Sequence, residues 1–148
     1  MPFRTRPGQP RDLLSLIESE VRERVEEAVD HASLEALVAT RRARGLPAPA
    51  ADNARDRADF EAGVLAFLQR LRADLDPVLT DEVRRKADDA AARSGQEPVA
   101  RLVAAQVALA RALPDYWQRF EASRVAYARE VASSGGKRRG LVGRLLTG

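Results

Sequence analysis

The sequence predicts an all-α fold, a helical bundle of four to five main helices with flexible termini. Apolar residues recur at steps of three and four in successive stretches, the spacing that lines one face of a helix. Proline, glycine and Asx residues punctuate the gaps between those stretches, where they stop one helix and start the next. Alternating patterns and β-branched runs are absent, and aromatics make up only 5% beside abundant alanine and leucine, so the core is built from closely approaching helices. A chain of 148 residues with 45% hydrophobic content can bury one real core, which makes one domain the expectation.

Residues 1–11 form a flexible basic leader, because Pro2, Pro7, Gly8 and Pro10 cannot propagate a helix. Residues 12–132 are the bundle and 133–148 a Gly-linked tail. The first helix starts near Asp12, where Leu14, Ile17, Val21, Val25, Ala28 and Ala32 keep a steady phase inside a charged surround. After His31 the phase slips by roughly 160°, since Leu34, Leu37 and Val38 fall on another side. Ser33 is a competent N-cap there, so the chain is expected to break and start a second piece over 34–43. Gly45, Pro47 and Pro49 then make a loop.

From Ala54, with Asp52 as the expected cap, Phe60, Val64, Phe67, Leu68, Leu71 and Leu75 mark a strong helix. Asp76 and Pro77 read as N-cap and N1 of the next, which offers Val78, Leu79, Val83, Ala87, Ala90 and Ala91 and ends at Ser94-Gly95. Residues 98–131 are the stretch against which the other segments should pack. They carry two apolar patterns that meet at Pro114, which either kinks one helix or opens a new one.

Without cysteine, disulfides, thiolate metal sites and cysteine nucleophiles are excluded. No apolar run approaches a membrane span and the start has no apolar h-region, so a cytoplasmic protein is expected. The positive charge sits in Arg4, Arg6 and Arg11 at the front and Lys137, Arg138, Arg139 and Arg144 at the end, leaving residues 12–136 mildly acidic. His31 stands alone and four residues from Glu27, whereas a carboxylate-bridged metal helix needs Glu-x-x-His, normally twice. A solvated histidine near a helix C-terminus is the expectation, with no metal and no cofactor.

Two polar residues interrupt the apolar stripes of 98–131. Gln106 falls in the arc of Val99, Val103 and Leu113, and Arg124 falls between Phe120 and Tyr127. A buried charge needs a partner, so Arg124 should meet a carboxylate, a carbonyl or an anionic ligand, or reach solvent along its stem. Trp117 and Tyr127, with Tyr116 and Phe120, belong to the core, or line an oligomer seam or a pocket that Gln106 and Arg124 would share. Arg41, Arg42 and Arg44 complement a helix end, with phosphate contact as the other reading.

The tail differs in kind. Ser133, Ser134, Gly135 and Gly136 make a joint, followed by Lys137, Arg138 and Arg139 and then Leu141, Val142, Arg144, Leu145 and Leu146. Four large apolar residues after such a joint point to docking, and the cations point to an anionic border. The run Leu141-Val142-Gly143-Arg144-Leu145 resembles the C-terminal cargo-loading peptides of encapsulin shells, without the serine usual before the final leucine. That resemblance implies a protein shell as partner.

The function expected is therefore that of a non-catalytic interaction or adaptor protein. Its tail docks it on a larger assembly such as a protein shell, a membrane surface or a granule, the last as in phasin-like helical proteins, and self-association is compatible with this. Nucleic-acid binding through the basic termini is one alternative. A small-ligand pocket around Arg124 is the other.

Overall fold

The computed structural model describes the backbone of residues 9–147 and the side chains of 13–134. It contains five α-helices: α1 (Gln9–Ala43), α2 (Ala54–Leu75), α3 (Asp81–Arg93), α4 (Pro98–Ala112) and α5 (Tyr116–Thr147), and no strand among the described residues. The tail from Lys137 to Leu146, with its glycine joint, lies outside the residues whose side chains are described.

Side-chain pairs set the helix directions. Arg24 lies over Trp117 and Glu35 pairs with Arg124, so α1 and α5 run parallel. Arg70 pairs with Glu130, and Ser123 donates to Asp74, so α2 runs against α5. Arg111 at the end of α4 reaches back to Glu18 near the start of α1 at 2.6 Å, which makes α4 antiparallel to α1. α1 and α2 each pack against both α4 and α5, while α3 packs on α4.

α4 is the most enclosed helix. Val103, Ala104, Ala105, Gln106, Val107 and Leu109 are all buried, as expected for a helix with neighbours on several sides. α2 inserts Phe67, Leu68, Leu71 and Leu75, each 0–1% exposed, against Tyr116 and Phe120 of α5. Phe67 meets Phe120 edge-on, with ring centres 5.6 Å apart, the arrangement that ring quadrupoles favour.

Three expected boundaries are corrected. α1 does not break at Ser33. The Ser33 hydroxyl donates to the Val29 carbonyl one turn back at 2.6 Å, so it bonds within the helix instead of capping one. The buried stripe continues through Val25, Val29, Ala32, Ser33 and Ala36, whose small side chains let the other helices come close, and Leu34 is left 45% exposed. His31 is consequently an exposed mid-helix residue and not a residue near a C-terminus.

The cap of α2 is Asn53, whose side chain accepts from the Asp56 amide at 3.0 Å, rather than Asp52. Asp76-Pro77 opens only a 3-10 turn, Asp76–Val78. Leu79 then extends (φ −85°, ψ 135°), and Thr80 caps α3 by accepting from the Val83 amide. Leu79 thus enters the core from the linker and not from a helix face.

The punctuation at Ser94-Gly95, Pro98 and Pro114 stands as expected. α3 ends into Ser94-Gly95, with Gly95 at φ +102°, a conformation glycine adopts without a Cβ penalty. Pro98 is in the first turn of α4. Leu113 is extended ahead of Pro114, as the proline ring requires of its predecessor, so Pro114 separates two helices.

Gln106 is wholly buried, and the Tyr116 hydroxyl donates to its Oε1 at 2.7 Å. Its Nε2 has no partner among the described residues. Burial also holds the Tyr116 phenol well above its usual pKa, so it stays protonated and remains a donor. Tyr116→Phe should therefore cost about 1–2 kcal/mol by orphaning the amide oxygen, while Tyr116→Phe with Gln106→Leu should recover most of that loss. Denaturant unfolding of the two variants checks this.

Candidate functional site

Parallel packing of α1 and α5 leaves an open groove of about 600 Å³ between them. Its floor is Ala28 and Phe120, a small and a flat side chain. α1 contributes Arg24, Glu27 and His31 to its walls, and α5 contributes Trp117, Glu121 and Arg124. Spacings of three and four residues bring each set to one face of its helix.

The Arg24 guanidinium stacks 4.0 Å above the Trp117 ring and has no carboxylate partner among the described residues. Arg124 is the opposite case. It bonds Glu35 across the seam at 2.5 Å and Glu121 on its own helix, and its side chain is 21% exposed. Of the partners expected for Arg124, the structure supplies a carboxylate, twice over. Its hydrogen bond to Arg124, opposed in part by burial and aided by the charges of Arg124 and His31, holds the Glu121 carboxyl below its usual pKa.

Trp117 and Arg124 come together here, and the two other residues expected with them do not. Gln106 is in the core with Tyr116, and Tyr127 packs on Phe67 with ring centres 5.6 Å apart. Arg41 is committed elsewhere, because it bonds Asp56 at 2.5 Å and Asp59 at 3.0 Å and so closes α1 onto α2. That leaves it unsuited to phosphate contact. Sequence reasoning assigned Arg24, Glu27 and Glu35 to a solvated charged face or passed over them. The signal was present in Arg24, His31 and Glu35, which follow at steps of seven and four and so share one side of α1.

Comparison with family models, with curated proteins and with solved structures finds no match.

The site is therefore read from its own chemistry. The groove offers an aromatic face, one cation without a carboxylate partner among the described residues and the Arg124–Glu121 ion pair, and its lining contains no hydroxyl or thiol. Among the described residues, no three His, Cys, Asp or Glu side chains are placed to hold a metal. No described helix is long and apolar enough to cross a membrane.

A second feature lies on α1 before it reaches α5. Leu13, Leu14, Leu16 and Ile17 are 59%, 59%, 56% and 44% exposed. Leu14 and Ile17 continue the phase of Val21, which is half-buried, and of Val25, which is wholly buried. The core stripe of α1 thus runs on past the bundle into solvent. Since α5 starts at the level of Arg24, no facing turn of α5 exists there to cover it.

A carboxyl with a lowered folded-state pKa stabilises above its unfolded value, 4.5 for Glu121, and that stabilisation is lost as pH falls through the folded value. Arg124→Gln should therefore lower the unfolding temperature at neutral pH and flatten its decline between about pH 5 and pH 3. Thermal unfolding across that range reads both effects.

Proposed function

We propose that this chain is a non-catalytic helical interaction protein, a rigid bundle that joins a larger assembly through apolar helix surface. The observation that carries the reading is the exposed start of α1, where four large aliphatic side chains follow within five residues in a helix otherwise ordered by its core. Such a cluster costs solubility and is only partly covered by the described residues, so a binding surface accounts for it. The tail adds a second anchor by its sequence pattern, with Leu141, Val142, Leu145 and Leu146 for apolar contact and Lys137, Arg138, Arg139 and Arg144 for an anionic border.

Affinity capture from the source cells at low and high salt tests the reading. The whole chain should retain protein at high salt, and Leu14→Ser with Ile17→Ser, or truncation after Ser134, should lose part of it. Because Leu14 and Ile17 are exposed, the double substitution should change stability by no more than about 1 kcal/mol. Identical retention by all three chains would overturn the proposal. Retention of nucleic acid alone, released by salt, would favour the basic termini as its binding surface instead.

The groove supports a second reading, a small-ligand site, because it reaches both Arg124 and Trp117. Its ligand would carry an anionic group for Arg24 and a flat apolar part for the aromatic floor. Trp117 is the sole tryptophan and reports occupancy directly. A saturable change in its emission on adding an aromatic carboxylate, abolished by Arg24→Ala, is the expected result, and a linear response would remove this reading.

A further inference from the structure

We infer that the groove between α1 and α5 binds an aromatic amino acid, a dipolar ion whose carboxylate meets Arg24, whose ammonium meets Glu27 and whose ring lies over Ala28. This rests on the small-ligand reading above and gives the ligand a second, opposite charge. Arg24 and Glu27 stand three residues apart on one face of α1, the spacing at which such side chains join, and both are exposed and line the groove. They are nevertheless left apart. Among the described residues, the ion pairs of α1 are made by Glu18, Glu35 and Arg41.

The Arg24 guanidinium is held instead on the Trp117 ring, 4.0 Å from its centre. Stacking covers one face of the guanidinium plane and leaves the N–H donors on its edge, where a carboxylate accepts two parallel hydrogen bonds. Arg124 does not compete for that carboxylate, since Glu35 and Glu121 already occupy it. The same pairing withdraws Glu121 from an incoming ammonium, and the charge of His31 also acts on Glu121. The groove is thus left with one cation and one carboxylate that no ion pair among the described residues satisfies, Arg24 and Glu27.

Residues three apart on a helix have Cβ atoms on the order of 5–6 Å from one another, and both side chains are long enough to converge on the adjacent carboxylate and ammonium of an α-amino acid. Ala28 ends at its methyl group and leaves the floor open for a ring beside Trp117 and Phe120. A groove of about 600 Å³ has room for such a molecule. Like charge supplies the selectivity. A ligand with a carboxylate alone is repelled by Glu27, and one with an ammonium alone is repelled by Arg24.

Trp117 emission from the full chain, excited where tyrosine and phenylalanine do not absorb, tests this. Phenylalanine should give a saturable change. Phenylpropionate, which lacks the ammonium, and phenylethylamine, which lacks the carboxylate, should each bind at least about tenfold more weakly. Glu27→Gln should weaken phenylalanine about tenfold and leave phenylpropionate bound as well as before or better. Arg24→Gln should weaken phenylalanine likewise and spare phenylethylamine. Both side chains are exposed, so circular dichroism should show both variants folded. Titration calorimetry repeats the comparison without relying on Trp117, whose surroundings Arg24→Gln itself alters.

Phenylpropionate binding as tightly as phenylalanine would overturn the inference and leave the small-ligand reading standing. A preference for phenylalanine over phenylpropionate that survives Glu27→Gln would do the same. Phenylethylamine binding as tightly as phenylalanine would remove the anion contact at Arg24, and with it both readings. A linear response to all three compounds, with no heat of binding, would also overturn both.

Discussion

The edge-on contact between Phe67 and Phe120 is the constraint on which the bundle depends. It holds α2 against α5 at the centre of the core, with both rings almost wholly buried, and Tyr127 closes on Phe67 from about two turns further along α5. Burying side chains of this size contributes about 2–3 kcal/mol each. One turn away, the Tyr116 hydroxyl ties the start of α5 to Gln106 of α4. These contacts fix three helices at one level. α1 then lies over them with alanine, serine and valine on its inner face.

Arginine completes the register at the periphery. Arg41 links α1 to α2, Arg72 links α2 to α3, and Arg111 links α4 to α1. Arg70 grips Glu130 with both terminal nitrogens, at 2.8 and 2.7 Å, and so joins α2 to α5. Exposed pairs of this kind are each worth no more than about 1 kcal/mol, but a planar fork accepts only one alignment of its carboxylate. They specify how the helices slide against one another more than they hold them together. Arg24 differs from these in resting on the Trp117 ring, with no carboxylate partner among the described residues.

The same geometry creates both candidate surfaces. Because α1 and α5 are parallel and α1 starts earlier, the early turns of α1 have no facing turn of α5 and carry their apolar stripe into solvent. Where α5 begins, the groove opens between the two helices above Ala28 and Phe120. One surface is apolar and suits a larger partner. The other is aromatic and ionic and suits a smaller ligand.

Local chemistry determined the helical class, the stops at Gly45 and Gly95, the start at Pro98 and the separation at Pro114, because proline and glycine act on the backbone whatever surrounds them. It also marked Arg124 as needing a carboxylate, a carbonyl, an anionic ligand or a route to solvent, and the structure supplies carboxylates. Tertiary structure decided what periodicity could not. Leu34, Leu37 and Val38 imitate the stripe of a new helix, yet α1 continues through Ser33 because its small residues face the core and the serine bonds back along the helix. Leu14 and Ile17 share the phase of Val25, and their exposure follows only from where α5 starts. Gln106 and Tyr127 parted from Arg124 and Trp117 for the same reason. Sequence spacing states which residues share a face of one helix, and only the packing of helices states what that face meets.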